Sequence, residues 1–381
     1  MSIPVFRPTL RRRDFNSVLG CLVSDRIGGG PLSHELAAEL ARFLGVAGGA
    51  CLVSFGLAVH CALEALALAE GDAVVLSALA PRDYLGVLAA RGLRALVADV
   101  DPATGLILHS EVERHLSSAP KALVLHYPLG CVPESEELFS LGLPVLEDIS
   151  QALGACLGRG PEGNEAPASA PPRCGSLGAV SVLSLGPEGV ITAGCGAAVF
   201  ARERRVLKGL REAVERQPRD ALLADMNAAL GLSQTREIEG FLRSRRAIAE
   251  VFGQAVARSR HGRLGPLLEG FGVPFAFPVL VRDGVKQVRQ FAMKRNIETC
   301  SAFGEAVAAI GQVPGQSAAA EPPAALSPAA GDSRPVEGRA TPVVEASAAR
   351  DLLARCVLFP LYPTLLKRDL QLIAKVLSAL P

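Results

Sequence analysis

This chain has no tryptophan and few other aromatics, with 3 Tyr and 14 Phe in 381 residues. A hydrophobic content of 49% must therefore come mainly from Ala, Leu and Val. Such a core suits parallel strands covered by helices on both faces. Neither sign of charge dominates, with Lys+Arg 39 against Asp+Glu 38, so nothing calls for a nucleic-acid partner or a membrane surface. The 9 cysteines form no C-x-x-C pair and no Cys/His ligand spacing. An odd, scattered set reads as reduced, mostly buried thiols of a cytoplasmic protein, with no metal. A long apolar run is missing too. The longest weakly charged stretch, 174–200, is rich in Gly and Ser and broken by Pro187 and Glu188, which argues against a membrane span. Arg11–Arg13 ahead of Val18-Leu19-Gly20-Cys21 imitate a lipoprotein cleavage site. The apolar stretch between them is too short and carries Asp14 and Asn16.

What the chain does have is length and alternation. At 381 residues it is long enough for two or three domains and a large core. Residues 1–48 read as an extended lead, a short helix and a Gly28–Pro31 turn into an amphipathic helix. Apolar runs at 51–54, 73–77, 95–99, 122–126, 144–147, 179–184 and 195–200 read as strands. Between them, 57–69, 82–91, 109–117 and 134–141 read as helices. This alternation predicts an α/β fold with a mostly parallel central sheet and a ligand site beyond the strand ends. Residues 201–262 read as mainly helical. Strand 275–281, helix 283–295 and helix 366–379 predict a smaller α+β unit. The expected division is a large domain at 1–255 and a small C-terminal domain at 256–381. Two segments, 158–173 and 314–338, are too rich in Pro, Ala, Gly and Ser to fold and read as flexible excursions.

The chemistry-bearing stretches are VLEDISQALG at 145–154 and SLGPEGVITAGCGAAVF at 184–200. Taken alone, Glu147-Asp148 at a strand end reads as a helix-capping or solvated pair, and His126 as a packed, hydrogen-bonded strand-end residue. Taken together, the two runs resemble the active-site half of the pyridoxal-phosphate sugar aminotransferases of the DegT/DnrJ/StrS family. That family reads (V/I)-E-D-x-A-Q-A-x-G and then S-F-x-P-x-K-x-(L/I)-T-x-G-E-G-G. Segments at 3–10, 27–46, 70–81, 94–107, 123–130, 229–252 and 358–365 resemble other family segments in the correct order.

The resemblance implies a fold-type I transferase of the aspartate-aminotransferase kind, working on nucleotide-sugars for polysaccharide biosynthesis. It implies that Asp148 faces the pyridine nitrogen, that Gln151 packs near the ring and that Ser184 binds phosphate. In the family's phosphate cradle, (N/S)-G-T-x-A-L, this chain has Ser54-Phe55-Gly56-Leu57, keeping Gly56 but placing Leu57 where a hydroxyl is lost. Pro81 falls where relatives stack an aromatic on the cofactor. Tyr84, one turn on, would replace it only with a shift of the local backbone. Cys195 stands at the family's acidic position, and Asp220 and Leu222 stand where an Asn and Arg reach the neighbouring subunit.

The Schiff-base lysine position holds Gly189, and a histidine that serves a dehydratase branch there is absent as well. Lys121, Lys208, Lys286, Lys294, Lys367 and Lys375 belong to other segments. Glycine has no group to bond the cofactor or move the substrate proton. The expectation is a homologue without catalytic residues that serves as a binding or regulatory subunit. It would form a homodimer, or a heterodimer with an active paralogue. Pyridoxal phosphate or pyridoxamine phosphate would be held weakly and without a covalent bond. The alternatives are an active sugar transaminase and a non-covalent binder of the cofactor or a nucleotide-sugar.

Overall fold

The computed structural model describes residues 2–25, 27–133, 135–158, 171–265, 272–310 and 346–381. Both low-complexity stretches fall wholly or largely outside them. Helix α1 (Arg12–Val23) leads to α2 (Pro31–Leu44), which opens on a proline at its first position and closes on Gly45 in the left-handed region. Then β1 (Gly48–Leu52), α3 (Phe55–Ala65), β2 (Ala73–Ser77), α4 (Asp83–Ala90), β3 (Arg94–Ala98) and α5 (His109–His115) alternate. They are followed by β4 (Ala122–His126), β5 (Val145–Asp148), β6 (Val180–Ser184) and β7 (Ala197–Ala201).

Seven strands form one sheet in the order β1-β7-β6-β5-β4-β2-β3. Pairings from β3 through β6 are parallel, while β7 runs antiparallel to both β6 and β1. Runs such as AVVLS and ALVLH are buried along their whole length, as strands covered on both faces must be. The sheet's first core joins Val124, Leu146, Val182 and Tyr84 to α3. On the second face Leu123, Leu125, Val145 and Leu183 meet α2 and α7 (Asp225–Thr235). The expected α/β fold with its mostly parallel central sheet is what the chain adopts.

Helix α6 (Arg204–Glu215) packs on α3, and α8 (Ile238–Val256) leads out of the large sheet's core. The remainder builds a second sheet, ordered β10-β11-β9-β8, from β8 (Gly262–Arg263), β9 (Phe277–Leu280), β10 (Cys300–Ser301) and β11 (Cys356–Phe359). With α9 (Val285–Met293), α10 (Ser347–Arg355) and α11 (Lys367–Ser378) it makes a separate core around Phe252, Phe277, Phe359 and Ile373. Because α8 contributes Ile248, Phe252 and Val256 to that core, the helix belongs to both halves. We propose to keep the division near residue 255 as a functional boundary. The buried Arg245 guanidinium spans it, with Nη1 donating to the carbonyls of Phe275 at 2.7 Å and Leu361 at 3.1 Å.

Two local expectations change. The helix expected over 134–141 is only a 3-10 turn at Glu137–Phe139. Pro133, Gly142 (φ 74°) and Pro144 bracket too short a stretch to repay helix nucleation. Helix α3 starts two residues earlier than 57, because the Ser54 hydroxyl accepts from the Leu57 amide at 3.3 Å and caps it.

The turn after β4 is among the tightest places in the fold. Gly130 has φ 83°, and a Cβ there would lie 1.8 Å from the Val273 carbonyl oxygen. Gly130→Ala should therefore destabilise the chain by at least the roughly 1–3 kcal/mol of left-handed strain alone. Urea unfolding checks this, and a loss below about 0.5 kcal/mol, as at an ordinary surface position, would contradict it.

Candidate functional site

The carboxyl ends of β4, β5 and β6 bring His126, Asp148 and Ser184 to one end of the sheet. Side chains alternate across a strand, so these three lie on the face shared by Val124, Leu146 and Val182, the face that α3 covers. In sheet order β4 lies between β5 and β2, and the chain leaves β2 toward β3 but leaves β4 toward β5. That reversal opens the crevice where α/β sheets take ligands.

Asp148 has no solvent-exposed surface. Its Oδ2 lies 3.3 Å from Nδ1 of His126, itself 2% exposed, and its Oδ1 accepts from the Ser150 amide at 3.0 Å. Burial pushes the carboxyl pKa up. The His126 hydrogen bond and charge, then Ser150, outweigh that and hold it below the ordinary aspartate value. Glu147 points to the opposite face and does different work. It accepts from the Tyr127 hydroxyl at 2.5 Å and from the amides of Gly175, Leu177 and Gly178 at 2.7, 2.9 and 2.6 Å. Burial still wins there, and its carboxyl is raised. Of this acidic pair, Glu147 ties down the loop ahead of β6, and Asp148 belongs to the site.

Tyr84, on the first turn of α4 beyond β2, is fully buried, and its hydroxyl has no hydrogen-bond partner. Burial first, and the Asp148 charge second, raise its phenol well above the ordinary value. The hydroxyl therefore lies within the field of Asp148 without closing a hydrogen bond of good geometry. The Phe55 ring stands edge-on to Tyr84, with centroids 5.6 Å apart and planes at 89°. Phe55 is the first residue of α3, just inside the Ser54 cap.

The other expected residues separate into two groups. Ser184 is half-buried at the strand end, and its hydroxyl accepts from the Gly186 amide at 3.3 Å. Gly56 and Leu57 sit in the first turn of α3, with the Leu57 amide already taken by Ser54. Gln151 turns to the polypeptide itself, its Oε1 accepting from the Leu129 amide at 2.6 Å and fixing the turn after β4. Pro81 pairs through an isolated bridge with Ala306, and Leu222 does so with Leu52. Cys195 is exposed beside Asn227. Sequence reasoning quoted Ser54 and Phe55 within the cradle but gave neither a role of its own. The serine directly before an apolar helix was a readable capping signal, whereas the Tyr84–Phe55 contact joins segments that no local pattern links.

Gly189 sits in a closed turn. Its amide bonds the Gly186 carbonyl at 3.3 Å, and the flanks are pinned by Leu185 to Gly196 and Ala193 to Leu185, both at 2.9 Å. Thr192 tightens this further, its hydroxyl donating to the Leu185 carbonyl at 3.1 Å while its amide donates to Gln234 at 3.1 Å. A Cβ on Gly189 would lie 2.4 Å from the Ile191 carbonyl oxygen. Real Cβ atoms do not come that close, so a side chain at 189 requires the backbone to move. All six lysines of the chain are exposed. Lys121 precedes β4, at the opposite end of the sheet from Asp148.

Strand order, helices on both faces and a buried aspartate at the end of β5 give the chain the fold of the fold-type I pyridoxal-phosphate transferases. A model of the DegT/DnrJ/EryC1/StrS aminotransferase family matches residues 8–325, and the chain belongs to that family. Its fold is similar to the aminotransferase TlmJ of Streptoalloteichus hindustanus, at 22% identity and TM-score 0.75, covering 100% of this chain and 98% of that one. It is also similar to Helicobacter pylori PseC, an aminotransferase of pseudoaminic acid biosynthesis, at 19% identity and TM-score 0.79, over 99% and 98% of the two chains. A protein of Streptococcus pneumoniae described as a putative sugar aminotransferase, in its PMP form, matches at 16% identity and TM-score 0.80, over 100% and 97%. Among the described residues no group of His, Cys, Asp or Glu could hold a metal ion, and no helix is long and apolar enough to cross a membrane.

The Asp148–His126 pair gives a pH prediction with a definite sign. The folded pKa of Asp148 lies below its unfolded value, so its stabilisation is present above the ordinary aspartate range, about pH 4, and is lost as pH falls through the folded value. Stability from urea unfolding should decline from about pH 5 toward pH 3, and Asp148→Asn should flatten that decline. An identical slope in the variant would show that other carboxylates carry the acid sensitivity.

Proposed function

We propose that this chain is a DegT-family homologue without transaminase activity, serving as a binding or regulatory subunit in nucleotide-sugar or polysaccharide metabolism. The observation that carries this reading is the turn at Gly189. More than a lysine side chain is missing there, because the backbone itself has closed over the space a Cβ needs. In a transaminase the cofactor supplies the electron sink and a lysine amine supplies the covalent hold and the proton transfer. This chain's residues do not fit a covalently held cofactor. Every lysine is exposed, and Asp148 is already satisfied by His126 and shut off from solvent.

A second reading, non-covalent binding of pyridoxal phosphate, pyridoxamine phosphate or a nucleotide-sugar, draws support from what stays on the site face. Asp148, Ser184 and the Ser54-capped start of α3, with Gly56 and Leu57, still share that face. Hydrogen bonds of roughly 1–3 kcal/mol each would hold such a ligand weakly and reversibly. Gln151 is committed to Leu129 and adds little. Cytoplasmic residence belongs to the same proposal, supported by nine cysteines outside any disulfide, six of them buried.

A partner subunit is part of the reading as well. On α1, Phe15, Leu19, Leu22 and Val23 are 57%, 56%, 45% and 85% exposed at helical spacing. A contiguous apolar stripe of this kind marks a subunit contact. The proposed occupant is a second copy of this chain, with an active paralogue as the alternative. Light scattering at micromolar concentration should give a dimer, and Leu19→Asp with Val23→Asp should shift it toward monomer. A wild-type monomer would remove the homodimer and leave only the paralogue to test.

The activity claim is tested by borohydride reduction after incubation with pyridoxal phosphate. Peptide mapping should find no stoichiometric adduct on any single lysine, and no keto-sugar should be aminated. Gly189→Lys should restore no measurable turnover and should lower stability by roughly 1–3 kcal/mol through overpacking. A specific adduct with turnover in the wild type, or a strong gain in the variant, would overturn the reading.

A further inference from the structure

We propose that Tyr84 and Phe55 fill the chain's own cofactor pocket, with the Tyr84 phenol standing against Asp148 where a phosphorylated pyridine ring would lie. The inference rests on the reading of the chain as a non-transaminase and names what occupies that site instead. Three placements lead to it. Tyr84 follows β2 while His126 ends β4, so the two flank the crevice where the chain reverses direction across the sheet. The Tyr84 hydroxyl is buried without a partner and lies in the field of the Asp148 carboxylate. At the other end of the pair, Phe55 meets the Tyr84 ring edge-on at 5.6 Å from the first position of α3. Two aromatic side chains thus link a buried carboxylate to a capped helix start. A phosphorylated pyridine needs the same two ends, a carboxylate for its ring nitrogen and helix amides for its phosphate.

The substitution is chemically sensible. An empty cleft over Asp148 would expose apolar walls and leave the carboxylate to water. An edge-to-face aromatic pair fills that volume and contributes about 0.5–1.5 kcal/mol beyond its burial. The phenol also sets a buried, neutral hydroxyl in the field of the carboxylate, in place of a protonated ring. On this account the fold does not depend on a ligand, and a small residue at position 84 reopens the pocket.

The test uses pyridoxamine phosphate, which needs no lysine, and follows its own fluorescence anisotropy with wild type, Tyr84→Ser and Tyr84→Phe. Tyr84→Ser should bind at least about tenfold more tightly than wild type. Tyr84→Phe should bind no better than wild type, since its ring still fills the space. Tyr84→Ser should also lose thermal stability and regain part of it with p-cresol or pyridoxamine phosphate. If the serine variant does not fold, Tyr84→Leu, shorter but still apolar, carries the same comparison. Equal affinity in wild type and the folded small variant overturns the proposal, as does micromolar binding by wild type. Tight binding of pyridoxamine phosphate by the wild type sinks only the filled pocket, whereas a borohydride-stable adduct of pyridoxal phosphate on one lysine sinks the non-transaminase reading beneath it.

Discussion

The charge of Asp148, buried at the end of β5, constrains everything around it. A carboxylate with no exposed surface loses its water, and only good partners offset that loss. His126 from the neighbouring strand and the Ser150 amide are those partners. The parallel register sets His126 beside Asp148, so the pair follows directly from sheet topology. Leaving one member of such a buried pair without the other costs about 3–5 kcal/mol, which is reason enough for both to persist on structural grounds alone. The retained aspartate is therefore weak testimony for retained chemistry.

Around that fixed point the two faces of the sheet have taken different courses. On the Glu147 side four donors converge on one carboxylate, and the loop ahead of β6 is held tightly. On the Asp148 side His126 and the Ser150 amide hold the carboxylate, and the Phe55–Tyr84 ring pair lies on the same face. The turn from Leu185 to Gly194 is clamped by its own backbone and by Thr192 and Gln234. In the proposed register Ile191, Thr192 and Gly194 match the family and Gly189 stands at the lysine position. The geometry explains the split, since those residues fold the turn and a side chain at 189 would obstruct it. On the proposed reading, residues that fold the turn and the position of the chemical group lie interleaved in one short run.

Much of the architecture was legible in the chain because burial on both faces writes itself as continuous apolar runs. AVVLS and ALVLH form β2 and β4 over the residues expected. The roles within VLED were less legible. Strand alternation sends Glu147 and Asp148 to opposite faces, yet only the folded chain shows which one the loop amides claim. Gln151 was expected near a ring and instead caps the turn at Leu129, a contact set by that residue's left-handed backbone. Tyr84 was the hardest to place. Its neighbours, the Phe55 ring and the Asp148 charge, lie in distant segments, and no helical or strand period connects them. The expected helix at 134–141 failed for a local reason, two prolines and a left-handed glycine around too few residues.

The central claim is that the space over Asp148 is filled by the chain itself and closed to a cofactor. A crystal structure grown with millimolar pyridoxal phosphate tests it most directly. The account predicts the Tyr84 phenol in density against Asp148, the Gly189 turn closed and no pyridine ring at the strand ends. A cofactor ring stacked over the sheet with its nitrogen on Asp148, and Tyr84 swung away to admit it, would contradict the account.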